Sequence, residues 1–187
     1  MEALLTSTLA VALAEIGDKT QLLALVLATR FRQPAPIVAG IFVATVANHA
    51  LAGLLGAQVG EWIGPELLRW IVGVAFLVMA GWTLIPDTLD DATEPAPRGA
   101  FLATLIAFFF AEMGDKTQLA TVGLAAAHPG QTVSVIFGTT LGMMIANVPV
   151  VFIGDRLAGK VDLSKVRYVA AALFAIFGVV VLVRGLR

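Results

Sequence analysis

The sequence predicts an all-α integral membrane protein: six transmembrane helices arranged as two inverted three-helix repeats. Three observations carry that prediction. The composition is far more apolar than a soluble fold requires, six apolar stretches have membrane-spanning length, and one acidic octapeptide occurs twice. Of 187 residues, 59% are hydrophobic and 13% charged, and mean hydropathy is +0.92. Ordinary soluble domains are about 45–50% apolar and about 25% charged. A soluble enzyme and a disordered chain are thereby excluded. Twelve Lys and Arg stand against 13 Asp and Glu, so no basic surface exists to hold phosphates and nucleic acid is not a partner. Cysteine is absent, which removes disulfides, thiolate metal sites and cysteine nucleophiles.

The six stretches run over 3–28, 36–60, 67–85, 99–127, 131–153 and 166–185. A helix needs about 20 residues to cross about 30 Å of hydrocarbon. Membrane β-strands would be half as long and would alternate in polarity; these Leu, Ala, Val and Ile runs do not alternate. The first stretch has no basic segment before it and no cleavage site, so it reads as a span rather than a signal peptide. After the third stretch comes an acidic linker, 86–98, with Asp87, Asp90, Asp91 and Glu94. It divides the chain into a first repeat, 1–85, and a second, 99–187. The linker acids show no EF-hand spacing and read as a solvated connection.

Basic residues set the orientation. Arg30, Arg32, Arg98, Arg156, Lys160, Lys165 and Arg167 fall in the first, third and fifth loops, against Arg69, Arg184 and Arg187 on the other side. The excess places those odd-numbered loops in the cytoplasm and both termini outside.

The duplication is the most informative feature. Glu15-Ile16-Gly17-Asp18-Lys19-Thr20-Gln21-Leu22 is matched by Glu112-Met113-Gly114-Asp115-Lys116-Thr117-Gln118-Leu119, with seven of eight positions identical. Ala47-Asn48 corresponds to Ala146-Asn147, Arg69-Trp70 to Arg167-Tyr168, and Phe76 to Phe174. Each unit holds three spans. Three is odd, so the second unit enters the membrane from the opposite side, as in many secondary transporters whose sites lie at the repeat interface.

The octapeptide puts ionisable groups inside apolar stretches. Six such groups facing lipid would cost on the order of 15–20 kcal/mol, so they face inward. On a continuous helix, residues three and four apart share a face. Glu15, Asp18 and Lys19 would then cluster, as would Glu112, Asp115 and Lys116. Four carboxylates and two ammonium groups leave a charge of −2, which one divalent cation or two protons would neutralise. Such a cluster titrates as a coupled group. Exclusive filling by metal or by protons is the minimum requirement for metal/proton exchange. Oxygen ligands suit Mn²⁺, Ca²⁺ or Mg²⁺. Mg²⁺ ranks lower because it dehydrates reluctantly.

Around the acids the readings stay open. Lys19 and Lys116 either gate or neutralise. Gln21 and Gln118 lie about 60° from the Asp on a helical wheel and are candidate ligands. Thr20 and Thr117 are candidates to coordinate or orient the acids or, pointing elsewhere on the wheel, to bond backbone or a neighbouring helix. Asn48 and Asn147 either bond between helices or belong to the site. His49, without a counterpart, reads as a local hydrogen-bonding group, and His128 as a solvated turn residue. Gly17 and Gly114 permit a break in the first and fourth stretches that would free backbone carbonyls; a long tilted helix is the competing explanation. Gly56-xxx-Gly60 and Gly138-xxx-Gly142 permit close helix packing.

The doubled Glu-x-Gly-Asp-(Lys/Arg)-(Thr/Ser) motif in two three-span halves resembles the Gdt family of calcium/manganese cation–proton antiporters, over nearly the whole chain. That resemblance implies a multi-pass transporter and assigns cation binding to Glu15, Asp18, Glu112 and Asp115. It implies no enzymatic activity and no cofactor. The transported ion would be Mn²⁺, or Ca²⁺, with H⁺ as counter-ion. The chain is most similar to compact bacterial members, for which manganese efflux across the inner membrane is the expected role. The lipid bilayer and the metal ion are the expected partners, and self-association is compatible with the sequence. An exporter of a small organic cation is the alternative. An intramembrane hydrolase is disfavoured, because neither His-Glu-x-x-His nor Gly-x-Ser-x-Gly occurs.

Overall fold

A computed structural model describes residues 1–85, 99–157 and 163–185, with side chains described outside 153–167. The predicted linker acids and Arg98, Arg156, Lys160, Lys165, Arg167 and Arg187 therefore lie outside the described residues or side chains. Among the described residues there are eight helices: α1 (Glu2–Glu15), α2 (Lys19–Phe31), α3 (Pro34–Trp62), α4 (Pro65–Thr83), α5 (Ala100–Glu112), α6 (Lys116–Ala127), α7 (Thr132–Leu157) and α8 (Leu163–Arg184). Among the described residues, three segments are long and apolar enough to cross a membrane by themselves: Pro34–Trp62, Pro65–Thr83 and Thr132–Phe152.

The first and fourth apolar stretches are not single helices, which corrects the shared-face argument built on them. Each breaks inside the octapeptide. Gly17 has φ +84° and Gly114 φ +76°, a left-handed conformation that favours glycine. After each glycine the chain re-enters a helix at an extended Asp, Asp18 at φ −83° and Asp115 at φ −78°. Asp18 caps its helix, accepting from the Lys19 backbone N–H at 2.7 Å. Pro34 and Pro65 open α3 and α4, where a missing N–H costs nothing.

The halves interlock. α1 packs against α7, and α5 against α3; α6 packs on α3, and α2 on α7. Small residues allow the close approaches. A methyl at Gly40 would meet the Phe101 carbonyl at 2.8 Å, and one at Gly138 the Leu4 carbonyl at 2.6 Å. Gly56 faces Val122 on α6, and Gly142 faces Thr8 on α1. α4 and α8 pair on the side, with the Phe76 ring 5.9 Å from Phe174 and 4.6 Å from Phe177. Leu54, Leu55, Phe42, Phe137 and Val183 are exposed, an apolar exterior suited to acyl chains.

Candidate metal centre

The two helix breaks bring the two octapeptides together. Glu15 ends α1 and Glu112 ends α5, and both are fully buried. Asp18 and Asp115 open the next helices at 1% and 3% exposure. One carboxylate oxygen from each of Glu15, Glu112 and Asp115 lies within 4.8 Å of the others. Asp18 stands outside that trio, so the structure gathers three of the four predicted acids, from both halves, into one cluster.

The lysines cross between copies. Lys19 Nζ lies 3.0 Å from Asp115 Oδ1, and Lys116 Nζ donates to Asp18 Oδ1 at 3.0 Å. Each motif thus neutralises the aspartate of the other. Thr20 Oγ1 donates to Glu15 Oε2, and Thr117 Oγ1 donates to Glu112 Oε2 at 2.8 Å. Of the two roles left open for these threonines, these bonds favour orienting the acids: the break lets each reach back to its own glutamate.

Every acid of the trio is held by one oxygen and leaves the other open. Among the described residues, Glu15 Oε1, Glu112 Oε1 and Asp115 Oδ2 are buried and accept no hydrogen bond. Buried carboxylate oxygens without partners are costly. The clustered carboxylates could hold a cation that prefers hard oxygen ligands, such as Mn²⁺ or Ca²⁺.

The glutamines serve the break instead of facing the trio. Gln21 Oε1 accepts from the Gly17 N–H at 2.8 Å, and Gln118 Oε1 from the Gly114 N–H at 2.6 Å. These amides replace backbone partners that the interrupted helices cannot supply. Asn48 Nδ2 donates to the Phe109 carbonyl at 3.0 Å, and Asn147 Nδ2 to the Met143 carbonyl at 3.2 Å. His49 is fully buried, yet neither ring nitrogen has a hydrogen-bond partner among the described residues. This differs from its reading as a locally bonded group. His128 is half-buried, its Nδ1 2.9 Å from the Leu124 carbonyl. Ser7, Thr45 and Thr140 are buried hydroxyls without partners. The sequence reading passed over them, and isolated hydroxyls inside apolar spans were their only signal.

The family described as "Divalent cation/proton antiporter GDT1" matches residues 3–91 and 100–187. The chain belongs to the GDT1 family. It is therefore a divalent cation/proton antiporter, a transporter and not an enzyme. Among GDT1-related proteins, one from Vibrio cholerae named "Putative manganese exporter" is 56% identical over 174 residues, covering 93% of this chain and 87% of the relative. A GDT1-like protein of Synechocystis is 28% identical over 203 residues, covering 96% of each. GDT1-like protein 5 of Arabidopsis thaliana is 26% identical over 211 residues, covering 89% of each. No solved structure matches the chain.

Proposed function

We propose that this antiporter exports Mn²⁺ from the bacterial cytoplasm across the inner membrane, in exchange for entering protons. The observation that carries this reading is the buried carboxylate trio: Glu15, Glu112 and Asp115 bring one oxygen each within 4.8 Å of the others, and each keeps a buried oxygen without a hydrogen bond among the described residues. The name of the Vibrio cholerae relative favours Mn²⁺ among the cations that such oxygens accept.

The transport frame is six spans in two inverted halves, 1–85 and 99–187, joined by a cytoplasmic linker at 86–98. In that frame α1 with α2, and α5 with α6, each form one interrupted span; α3, α4, α7 and α8 supply the others. Equivalent packing supports it. Gly40 meets Phe101 and Thr104, while Gly138 meets Leu4 and Ser7, residues at matching places of the two units. The crossed Lys–Asp pairs follow the same pseudo-symmetry. Metal enters from the cytoplasm, binds among Glu15, Glu112 and Asp115, and displaces protons from the two glutamates. The halves rock, metal leaves outside, and protons take its place for the return. Asp18, held by Lys116, completes the charge balance rather than the oxygen trio.

The test is Mn²⁺ uptake into inside-out vesicles under an imposed pH gradient, with Ca²⁺ as a parallel arm. Mn²⁺ should accumulate when the lumen is acidic, and collapsing the gradient should stop it. Glu15→Gln and Glu112→Gln should each abolish uptake. Gradient-independent movement, or full activity in either variant, overturns the assignment.

A further inference from the structure

The two halves carry the same polar residues at matching places, but they do not use them alike. In the second motif, Gln118 Nε2 donates to Asn48 Oδ1 at 3.4 Å, while Asn48 Nδ2 donates to the Phe109 carbonyl. That carbonyl is free because the helix break turns the Met113 N–H to Phe110 instead. Asn48 on α3 therefore clasps both sides of the break between α5 and α6. The mirror arrangement would have Asn147 on α7 clasp the break between α1 and α2. It is not made. Asn147 Nδ2 folds back onto its own helix, at Met143. Asn147 Oδ1 is buried without a partner. Gln21 Nε2 reaches past it to the Ala146 carbonyl at 2.9 Å.

Both glutamines and both asparagines are the same in the two units, but the Asn147 amide also meets the Met143 sulfur at 3.0 Å where the first unit has Ala44. The surrounding packing differs in step. α4 packs on α6, and α8 on α1, while the corresponding α2–α8 and α4–α5 pairs make only marginal contact among the described residues. Phe76 seats its ring over Gly123; Val26, at the matching place on α2, is 41% exposed. Lys19 is 27% exposed in its ion pair, and Lys116 3%. Met113 at one break is 51% exposed, whereas Ile16 at the other is half-buried.

We propose that Asn48 and Asn147 are alternating positioning residues of the exchange cycle. The structure shows the state clasped by Asn48. In the opposite state Asn147 turns to the Ala12 carbonyl and receives Gln21, while Asn48 lets go. This rests on the exchange reading above and adds to it which side chains distinguish the two states.

The cysteine-free chain allows a direct test. Met113→Cys and Ile16→Cys are made separately, and the labelling rate of each by a hydrophilic maleimide is measured on full-length protein in nanodiscs. Asn147→Leu should raise the ratio of the first rate to the second about fivefold, the effect of one buried hydrogen bond on an equilibrium. Asn48→Leu should lower it about fivefold. The double variant should return it toward the parent value, and all three should bind Mn²⁺ while exchanging it more slowly. Alanine at each position provides a smaller replacement should leucine not fold. Shifts in the same direction for both asparagines, or no shift in folded protein, overturn the proposal. If the ratio swings as stated but no gradient-coupled Mn²⁺ movement occurs, the clasp stands and the exchange reading falls.

Discussion

At the residue scale, the threonines hold the glutamates in place. Thr20 and Thr117 each give a buried hydroxyl proton to the glutamate that closes the preceding helix. This fixes which oxygen of each glutamate is left open. Hydrogen bonds to charged groups contribute about 1.5–3 kcal/mol. Thr117→Val keeps the shape and removes the donor. It should raise the half-saturating Mn²⁺ concentration about tenfold or more, with protein yield near that of the parent. Concentration series in proteoliposomes would show this. An unchanged half-saturation point would mean that the hydroxyl does not hold Glu112 in its binding pose. The acids themselves were legible in the sequence, because ionisable groups duplicated inside apolar stretches have few other uses. Their partners were not. A helical wheel presumes a continuous helix, and the break at Gly17 and Gly114 turns Thr toward Glu and Gln toward the glycine N–H. The crossing of Lys19 to Asp115 and Lys116 to Asp18 is tertiary and has no signature in spacing.

At the element scale, the interrupted helices depend on two positive-φ glycines. Nothing lies within 4 Å of where a methyl would sit at Gly114, so the cost of Gly114→Ala is conformational alone. A left-handed backbone costs a non-glycine residue about 1–2 kcal/mol. Gly81, inside α4, also has open space around it, but its backbone is helical, where alanine is preferred by about 1 kcal/mol. Thermal unfolding in detergent should therefore move in opposite directions: down for Gly114→Ala, level or up for Gly81→Ala. Gly56→Ala should also lower it, for a steric reason, since the methyl would run into the Val122 carbonyl on α6. A rise for Gly114→Ala would mean the break is not a stable part of the fold. Element boundaries were mostly readable. Stretches 36–60 and 131–153 match α3 and most of α7 because apolar runs of that length have one use in a bilayer. The break itself was one of two readings of an overlong stretch, since glycine permits unwinding without requiring it.

At the scale of the whole molecule, the inversion of the halves is a statement about sides and can be tested as one. Gln33 and Gln131 are both exposed, one immediately before α3 and the other before α7. Each starts its helix in the same way, with its carbonyl accepting from the N–H four residues on, that of Ile37 at 3.3 Å and that of Val135 at 3.0 Å. By position in the repeat they are equivalent; if the repeats are inverted, they lie on opposite faces of the membrane. On the proposed orientation, Arg30 and Arg32 beside Gln33 put that end in the cytoplasm and Gln131 outside. With no native cysteine to confuse the readout, Gln131→Cys should react with a membrane-impermeant maleimide in spheroplasts. Gln33→Cys should react only after permeabilisation, or in inside-out vesicles. Labelling of both from one face would make the repeats parallel. The crossed Lys–Asp pairs would then no longer mark a pseudo-two-fold axis in the membrane plane, and rocking of inverted halves could not carry the ion across.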